Sequence, residues 1–207
     1  MSLLHYTPRW LHKLFPRLIW RSSAENGAVY LTFDDGPIPE VTPKVLSILA
    51  AYKAKATFFC VGENAVKHAE VLAQVKAAGH AIGHHTYHHV NGWHTKWPNY
   101  LREVEKGAEA CSSSQGSLFR PPYGKLPMPA YFRLPARYKV VMWDVLSGDF
   151  DKRINWNTCL EQTIKHTSAG SVIVFHDSIK AWPNLERLLP AYLEWAKKQG
   201  YTFKGLS

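Results

Sequence analysis

The sequence predicts an α/β protein built on parallel strands, and three observations carry that reading. From residue 28 onward, seven short runs rich in β-branched and aromatic residues alternate with about six longer segments of helical period, the pattern of successive right-handed β-α-β units. The 207 residues, 46% of them hydrophobic, suffice for one sizeable core but are few for two domains. Carboxylates, histidines and an arginine collect where the predicted strands end, which is where sites are built in parallel α/β folds. On these grounds alone the sheet is either open and doubly wound or closed as a barrel.

Each element has its own signal. Residues 29–33 read as a buried strand, and Thr42-Pro43 supplies an N-cap and a first-turn proline for a helix with Val45, Ile48, Leu49 and Tyr52 on one face. A second strand covers 56–60. Asn64 is placed to cap a helix through Val66, Leu72 and Val75, which Gly79 ends. A third, weaker strand covers 80–83, followed by a helix near 100–110, a strand near 118–120, a proline-rich connection and a strand over 138–143. A helix near 158–166, a strand over 171–175, a helix near 188–198 and a strand over 201–203 complete the chain. No Gly/Ser linker, repeat or low-complexity tract interrupts it.

Several classes are excluded. Charged residues make up 20% and are interspersed with apolar ones, unlike a disordered chain. The longest apolar runs, such as 172–175, fall far short of the roughly 20 residues that span a bilayer. Cys60, Cys111 and Cys159 are widely spaced, odd in number and form no CxxC pair, so neither a disulfide framework nor a thiolate zinc site is expected. The net charge of +9 brings no basic stripe with interleaved aromatics beyond the N-terminus, and nucleic acid is not an expected partner.

Residues 1–21 contain Arg9, Lys13, Arg17 and Arg21 and no acidic side chain, with Trp10, Leu11, Leu14, Phe15, Leu18 and Ile19 between the cations. This is the pattern of a basic amphipathic helix, broken in two by Pro16. Its apolar face packs on the body of the domain or meets a membrane surface peripherally. The segment lacks the continuous apolar stretch and small-residue cleavage site of a secretory signal, so the expected location is cytoplasmic or at the inner membrane face. The chain is therefore divided into a basic amphipathic segment, 1–27, and the α/β domain proper, 28–207.

The strand over 29–33 ends in Asp34-Asp35-Gly36-Pro37, two carboxylates that leave a strand in different directions and so can take two roles. Six of the eleven histidines fall between His80 and His94. His84/His88 and His85/His89 are each four apart, a spacing that sets two imidazoles on one face of a helical turn and suits a divalent metal. Spacing does not choose between the pairs. One carboxylate added to either gives a two-His, one-carboxylate set with open positions, as catalytic metals have. Arg120, Asp144, Asp149, His176 and Asp177 follow other strands and are expected on the same rim.

Thr32-Phe33-Asp34-Asp35-Gly36-Pro37, His85-Thr86-Tyr87-His88-His89, Arg120-Pro121-Pro122-Tyr123-Gly124, Trp143-Asp144 to Asp149-Phe150, and Val174-Phe175-His176 resemble, in order, the five motifs of the polysaccharide deacetylases, the NodB-homology carbohydrate esterases of family 4. The resemblance implies a single NodB-homology domain folded as a distorted (β/α)7 barrel. It implies that Asp35, His85 and His89 bind a divalent metal and that Asp34 is the general base; such a donor set suits zinc first and also takes cobalt, nickel or iron. It further implies that Arg120 orients Asp34, Tyr123 offers its backbone N–H to the oxyanion, His176 is the general acid and Asp149 holds its imidazole. Phe150 stands where many members carry Trp, and Leu146 where many carry Asp, which bears on sugar specificity. Trp93, Trp97, Tyr123 and Phe150 are candidate stacking surfaces for a sugar ring.

The implied function is hydrolysis of N-acetyl groups on an acetylated amino-sugar glycan of chitin-oligosaccharide or peptidoglycan type. The alternatives are a deacylase or deformylase of a lipid-linked amino sugar, an O-acetyl esterase on xylan, and a glycan-binding module without turnover. A pure binder has no use for Asp34 and His176 together.

Overall fold

The computed structural model describes residues 4–112 and 117–207. In chain order its elements are α1 (Arg9–Leu14), β1 (Ala28–Asp34), α2 (Thr42–Ala51), β2 (Ala56–Cys60), α3 (Gly62–Lys67), α4 (Ala69–Ala77), β3 (Ala81–His84) and α5 (Trp97–Ala110). They continue with β4 (Leu118–Phe119), α6 (Met128–Arg133), β5 (Lys139–Val140), β6 (Val145–Leu146), α7 (Trp156–His166), β7 (Val172–His176), α8 (Trp182–Lys198) and β8 (Thr202–Phe203). No described helix is long and apolar enough to cross a membrane.

The strands pair in the order β5-β4-β3-β2-β1-β7-β6, with β8 against the start of β1, and every pairing between named strands is parallel. The two outer strands, β5 and β6, are separated in the chain only by residues 141–144. So short a connection, at about 3.3–3.6 Å per residue, forces the ends of the sheet toward each other, and the sheet curls into a distorted barrel. The strand expected over 138–143 is thus a correction: only Lys139–Val140 form it, and the chain then crosses to the opposite edge, where β6 begins at Val145. The carbonyls of Val141 and Met142, which would continue β5, accept hydrogen bonds from the Arg120 guanidinium at 3.4 and 2.9 Å.

The N-terminal segment occupies the seam. The Ile19 amide donates to Val140 O at 2.8 Å, Met142 N donates to Ile19 O at 2.7 Å, and Thr7 N and Leu146 N bond to Asp144 O and His5 O, each at 2.9 Å. Only α1 of the expected pair of helical pieces forms, and it buries none of its residues. At Pro16 the chain turns instead of starting a second helix, and Ile19 and Arg21 then form isolated bridges with Val141 and Ser171.

Strand pleating sorts β1. Val29, Leu31 and Phe33 face the helices in the main core, where Phe33 stacks on Phe58 at 5.0 Å and on Phe175 at 5.7 Å. Ala28 and Tyr30 face the barrel interior with Phe59, Leu118, Val141, Val172 and Leu206. Successive side chains alternate, so Thr32 and Asp34 also point inward, and Asp34 stands at the mouth.

Two helix starts differ from expectation. Thr42 is already helical rather than a cap; its hydroxyl accepts from Ile38 N at 2.8 Å and donates to Asp177 Oδ2 at 2.6 Å. The segment expected as one helix from Asn64 is two, parted at His68, and Asn64 lies inside the first with its side-chain amide donating to Asp35 O at 2.8 Å. Before α7, by contrast, Asn155 caps through its side chain, accepting from Thr158 N at 2.9 Å.

Candidate active site

Asp34 and His176 are register partners across β1 and β7, both on inward-facing positions at the strand ends. Arg120, one residue beyond β4, has no exposed surface and makes four side-chain hydrogen bonds. It gives 2.7 Å to Asp34 Oδ1 and 2.6 Å to Thr32 Oγ1, in addition to the two carbonyls of the seam. Its guanidinium lies 4.1 Å from the centroid of the Phe59 ring. A Cβ at Gly83 would stand 2.6 Å from that ring, so the glycine in β3 leaves room for the stacked pair. A buried guanidinium held by four hydrogen bonds and a stacked ring fixes the Asp34 carboxylate in one orientation.

His85 follows β3, and its Nδ1 lies 2.7 Å from Arg120 O. A carbonyl only accepts, so Nδ1 carries the proton and Nε2 presents its lone pair inward. Burial lowers this imidazole to about 4, against the opposing pull of Asp34, and it is neutral at pH 7, the form that ligates a metal. His89 Nε2 lies 3.3 Å from Asp35 Oδ1. Burial disfavours the charge on Asp35, but the hydrogen bond to His89 and the nearby His176 and His85 hold its carboxyl below the usual range. One ligand atom from each of Asp35, His85 and His89 lies within 4.8 Å of the others. Two imidazoles and one carboxylate so converged fit a divalent cation with open coordination positions.

The backbone around these groups is unusual. Asp35, His89 and Tyr123 all have positive φ, at 85°, 55° and 58°, as does Thr86 at 60°. Non-glycine residues in that region carry strain that neighbouring structure must overcome, and here it falls on the site. Residues 85–89 are not helical, so the expected helical face bearing pairs of imidazoles is corrected: the turns at Thr86 and His89 bring His85 and His89 together.

Pleating separates the two histidine pairs. His84, the last residue of β3, points outward with Phe119, its register partner, and stacks on that ring at 4.8 Å; Tyr138 approaches it at 5.2 Å. Neither ring nitrogen has a partner among the described residues, and burial lowers the imidazole to about 3. His88 turns outward to Glu103, with Nδ1 2.9 Å from Oε1, and His80 Nδ1 accepts from Ala56 N at 3.2 Å. Of the six clustered histidines, only His85 and His89 reach the convergent set.

On the opposite side, Asp149 grips His176 twice. Its Oδ1 lies 2.8 Å from Nδ1, and its Oδ2 accepts the His176 backbone N–H at 2.8 Å. Burial works against a charge on this imidazole, but Asp149, by charge and hydrogen bond, and then Asp35 and Asp34 raise it to about 9. Two aromatic rings line the rim: the exposed Tyr123 meets His89 edge-on at 4.7 Å, and the half-buried Phe150 meets His176 at 4.8 Å. Trp93 is exposed beneath Lys125, whose Nζ is 3.7 Å from its ring centroid. Trp97 instead packs half-buried against the cluster under α5 and α6.

Two carboxylates expected on the rim are elsewhere. Asp144 is ion-paired with Arg21 and accepts from Val172 N at 2.9 Å, at the opposite end of β7 from His176. Asp177, fully buried, accepts from Gly36 N at 3.1 Å and from the Thr42 hydroxyl. A Cβ on Gly36 would lie 2.0 Å from Asp177 Oδ2. Asp177 therefore ties the Asp34-Asp35 loop to the end of β7. It and Asn64 brace the loop that carries Asp35; the only sequence signal for Asp177 was its place beside His176.

The chain matches the family described as polysaccharide deacetylase over residues 21–136. It is 35% identical over 154 residues to a peptidoglycan-N-acetylglucosamine deacetylase of Bacillus cereus, a match that covers 72% of this chain and spans 56% of the relative's length. A second protein of that name from Bacillus cereus is 32% identical over 198 residues, 91% of this chain and 90% of the relative. The crystal structure of the Bc1960 peptidoglycan N-acetylglucosamine deacetylase superposes with a TM-score of 0.86 at 28% identity, over 97% of this chain and 95% of that one. Five motifs in order, a curled parallel sheet and these likenesses agree that the chain belongs to the polysaccharide deacetylases, a family of hydrolases.

Proposed function

We propose that this protein is a metal-dependent hydrolase that removes N-acetyl groups from an acetylated amino-sugar glycan of the peptidoglycan or chitin-oligosaccharide type. One observation carries the reading: Asp34 and His176, paired in register at two adjacent strand ends, are given opposite partners, a buried guanidinium and a buried carboxylate. Titratable groups whose surroundings pull their charges apart divide into base and acid. A divalent cation held by Asp35, His85 and His89, zinc first among those the donor set suits, supplies Lewis acidity toward the acetyl carbonyl when bound. Asp34, oriented by Arg120, takes the proton of the attacking water. The Tyr123 backbone N–H donates to the oxygen that gains charge. His176, kept charged by Asp149, protonates the departing amine, which is too basic to leave as an anion. Tyr123 and Phe150 flank this chemistry as ring surfaces against which a pyranose can lie.

The test is acetate release from N-acetylglucosamine oligomers and peptidoglycan fragments by metal-quantified protein, before and after chelation. Release that is lost on chelation and restored by zinc supports the reading. Metal-replete protein that frees no acetate from either substrate refutes it.

Ligand assignment has a separate expectation. His85→Ala removes a lone pair at the centre of the cluster and is expected to abolish most of the bound metal, measured by elemental analysis. His88→Ala and His84→Ala are expected to keep it, although His84→Ala leaves a cavity between Phe119 and Tyr138 that costs about 2–4 kcal/mol of stability. Equal metal loss in all three variants overturns the assignment.

A further inference from the structure

We infer that α1 and α6 together form a docking surface for an anionic lipid bilayer. Trp10 and Leu14 on α1 are 62% and 59% exposed, and Met128 and Phe132 on α6 are 56% and 58% exposed. Each pair is four residues apart on a helix, hence on one face. The helices are neighbours in space: Phe15, at the end of α1, meets Tyr131 edge-on at 5.3 Å, and the Arg17 guanidinium lies 5.9 Å from the Phe132 ring centroid. The chain thus brings two separate apolar helix faces together and leaves both uncovered, whereas a monomer's exposed apolar residues are usually scattered singly.

Charge chooses the occupant. Neither residues 1–24 nor residues 110–143, the stretches that contain the two helices, include a single Asp or Glu. Arg9, Lys13, Arg17 and Arg133 are exposed around the apolar side chains. A second copy of this chain docking by the same face would set these cations against their own kind. A surface of anionic phospholipid headgroups over an acyl interior complements both features, with Trp10 suited to the boundary and the long cations to the phosphates. The seam hydrogen bonds of Thr7 and Ile19 hold the residues flanking α1 to the sheet, so α1 is presented in place and little ordering is needed on binding.

Sedimentation of the full chain with vesicles of phosphatidylcholine containing phosphatidylglycerol, against phosphatidylcholine alone, tests this. Binding is expected to the anionic vesicles and to weaken about tenfold or more without the anionic lipid or at high salt. Trp10→Ser/Phe132→Ser and, separately, Arg9→Glu/Lys13→Glu should each lower the partition by about tenfold or more at an unchanged unfolding midpoint, since all four side chains are exposed. Failure of the unchanged protein to bind anionic vesicles, or equal binding by both variants, overturns the inference. So does a concentration-dependent dimer that the apolar variant abolishes while no vesicle binding occurs, which would assign the surface to a second copy. None of these readouts depends on deacetylation.

Discussion

Asp34→Asn is expected to keep its metal and lose catalysis by a factor of about 10² to 10⁴, the contribution of a positioned general base. The substitution is nearly isosteric, and the amide oxygen can still accept from Arg120, whose guanidinium is held independently by Thr32, Val141 and Met142. Geometry is therefore preserved while basicity is removed. Asp34 is adjacent to the ligand cluster without belonging to it: the three convergent groups are Asp35, His85 and His89, and its Oδ2 is 4.0 Å from His85 Nε2. Metal content by elemental analysis separates the two explanations of an inactive variant. A fall in kcat with full metal identifies the base. Proportional loss of both makes Asp34 a ligand, and undiminished kcat removes it from the chemistry.

Which parts of this arrangement were readable beforehand follows from the range of the interactions involved. The inward set of β1 was implicit in its composition, because a strand apolar on both faces that ends in two aspartates places a carboxylate at a sheet edge. The choice of His85 over His84 is not legible in spacing and came only with the motif resemblance, since it depends on which face of β3 each residue takes, and that face is fixed by pairing with β4 far along the chain. Spacing by four suggested a helix where the chain makes two left-handed turns. The Asp144 carboxylate could not be told from Asp149 by proximity to a strand; its partner, Arg21, is 123 residues away. The seam was hidden for the same reason, as the N-terminal segment supplies its bridges from outside the alternating pattern. α6 was missed because residues 127–135 carry three prolines, which read locally as a connection, although Pro127 and Pro129 sit at a helix start, where proline is tolerated.

His176→Ala is expected to cripple amide hydrolysis while sparing much of the activity on an activated acetyl ester. An amine must be protonated as it departs, whereas an activated alkoxide or phenoxide leaves with less help. The pH dependence gives a sharper form of this expectation. Against burial, Asp149 raises the imidazole to about 9, so the acid is present below that value and is lost as pH rises through it. A divalent cation held by Asp35, His85 and His89 would repel the imidazolium and move this alkaline limb lower. The accompanying stability has the same sign: the charged pair contributes fully below the ordinary histidine value near 6.5 and fades as pH climbs through about 9. Asp149→Asn keeps an acceptor at His176 Nδ1 but removes the anion, so the alkaline limb of amide hydrolysis should shift downward while the ester profile changes little. Measured kcat/KM against pH for both substrates decides. If His176→Ala lowers amide and ester turnover in equal proportion and Asp149→Asn leaves the alkaline limb in place, His176 does not protonate the leaving group, and its grip on Asp149 serves only to join β7 to the loop after β6.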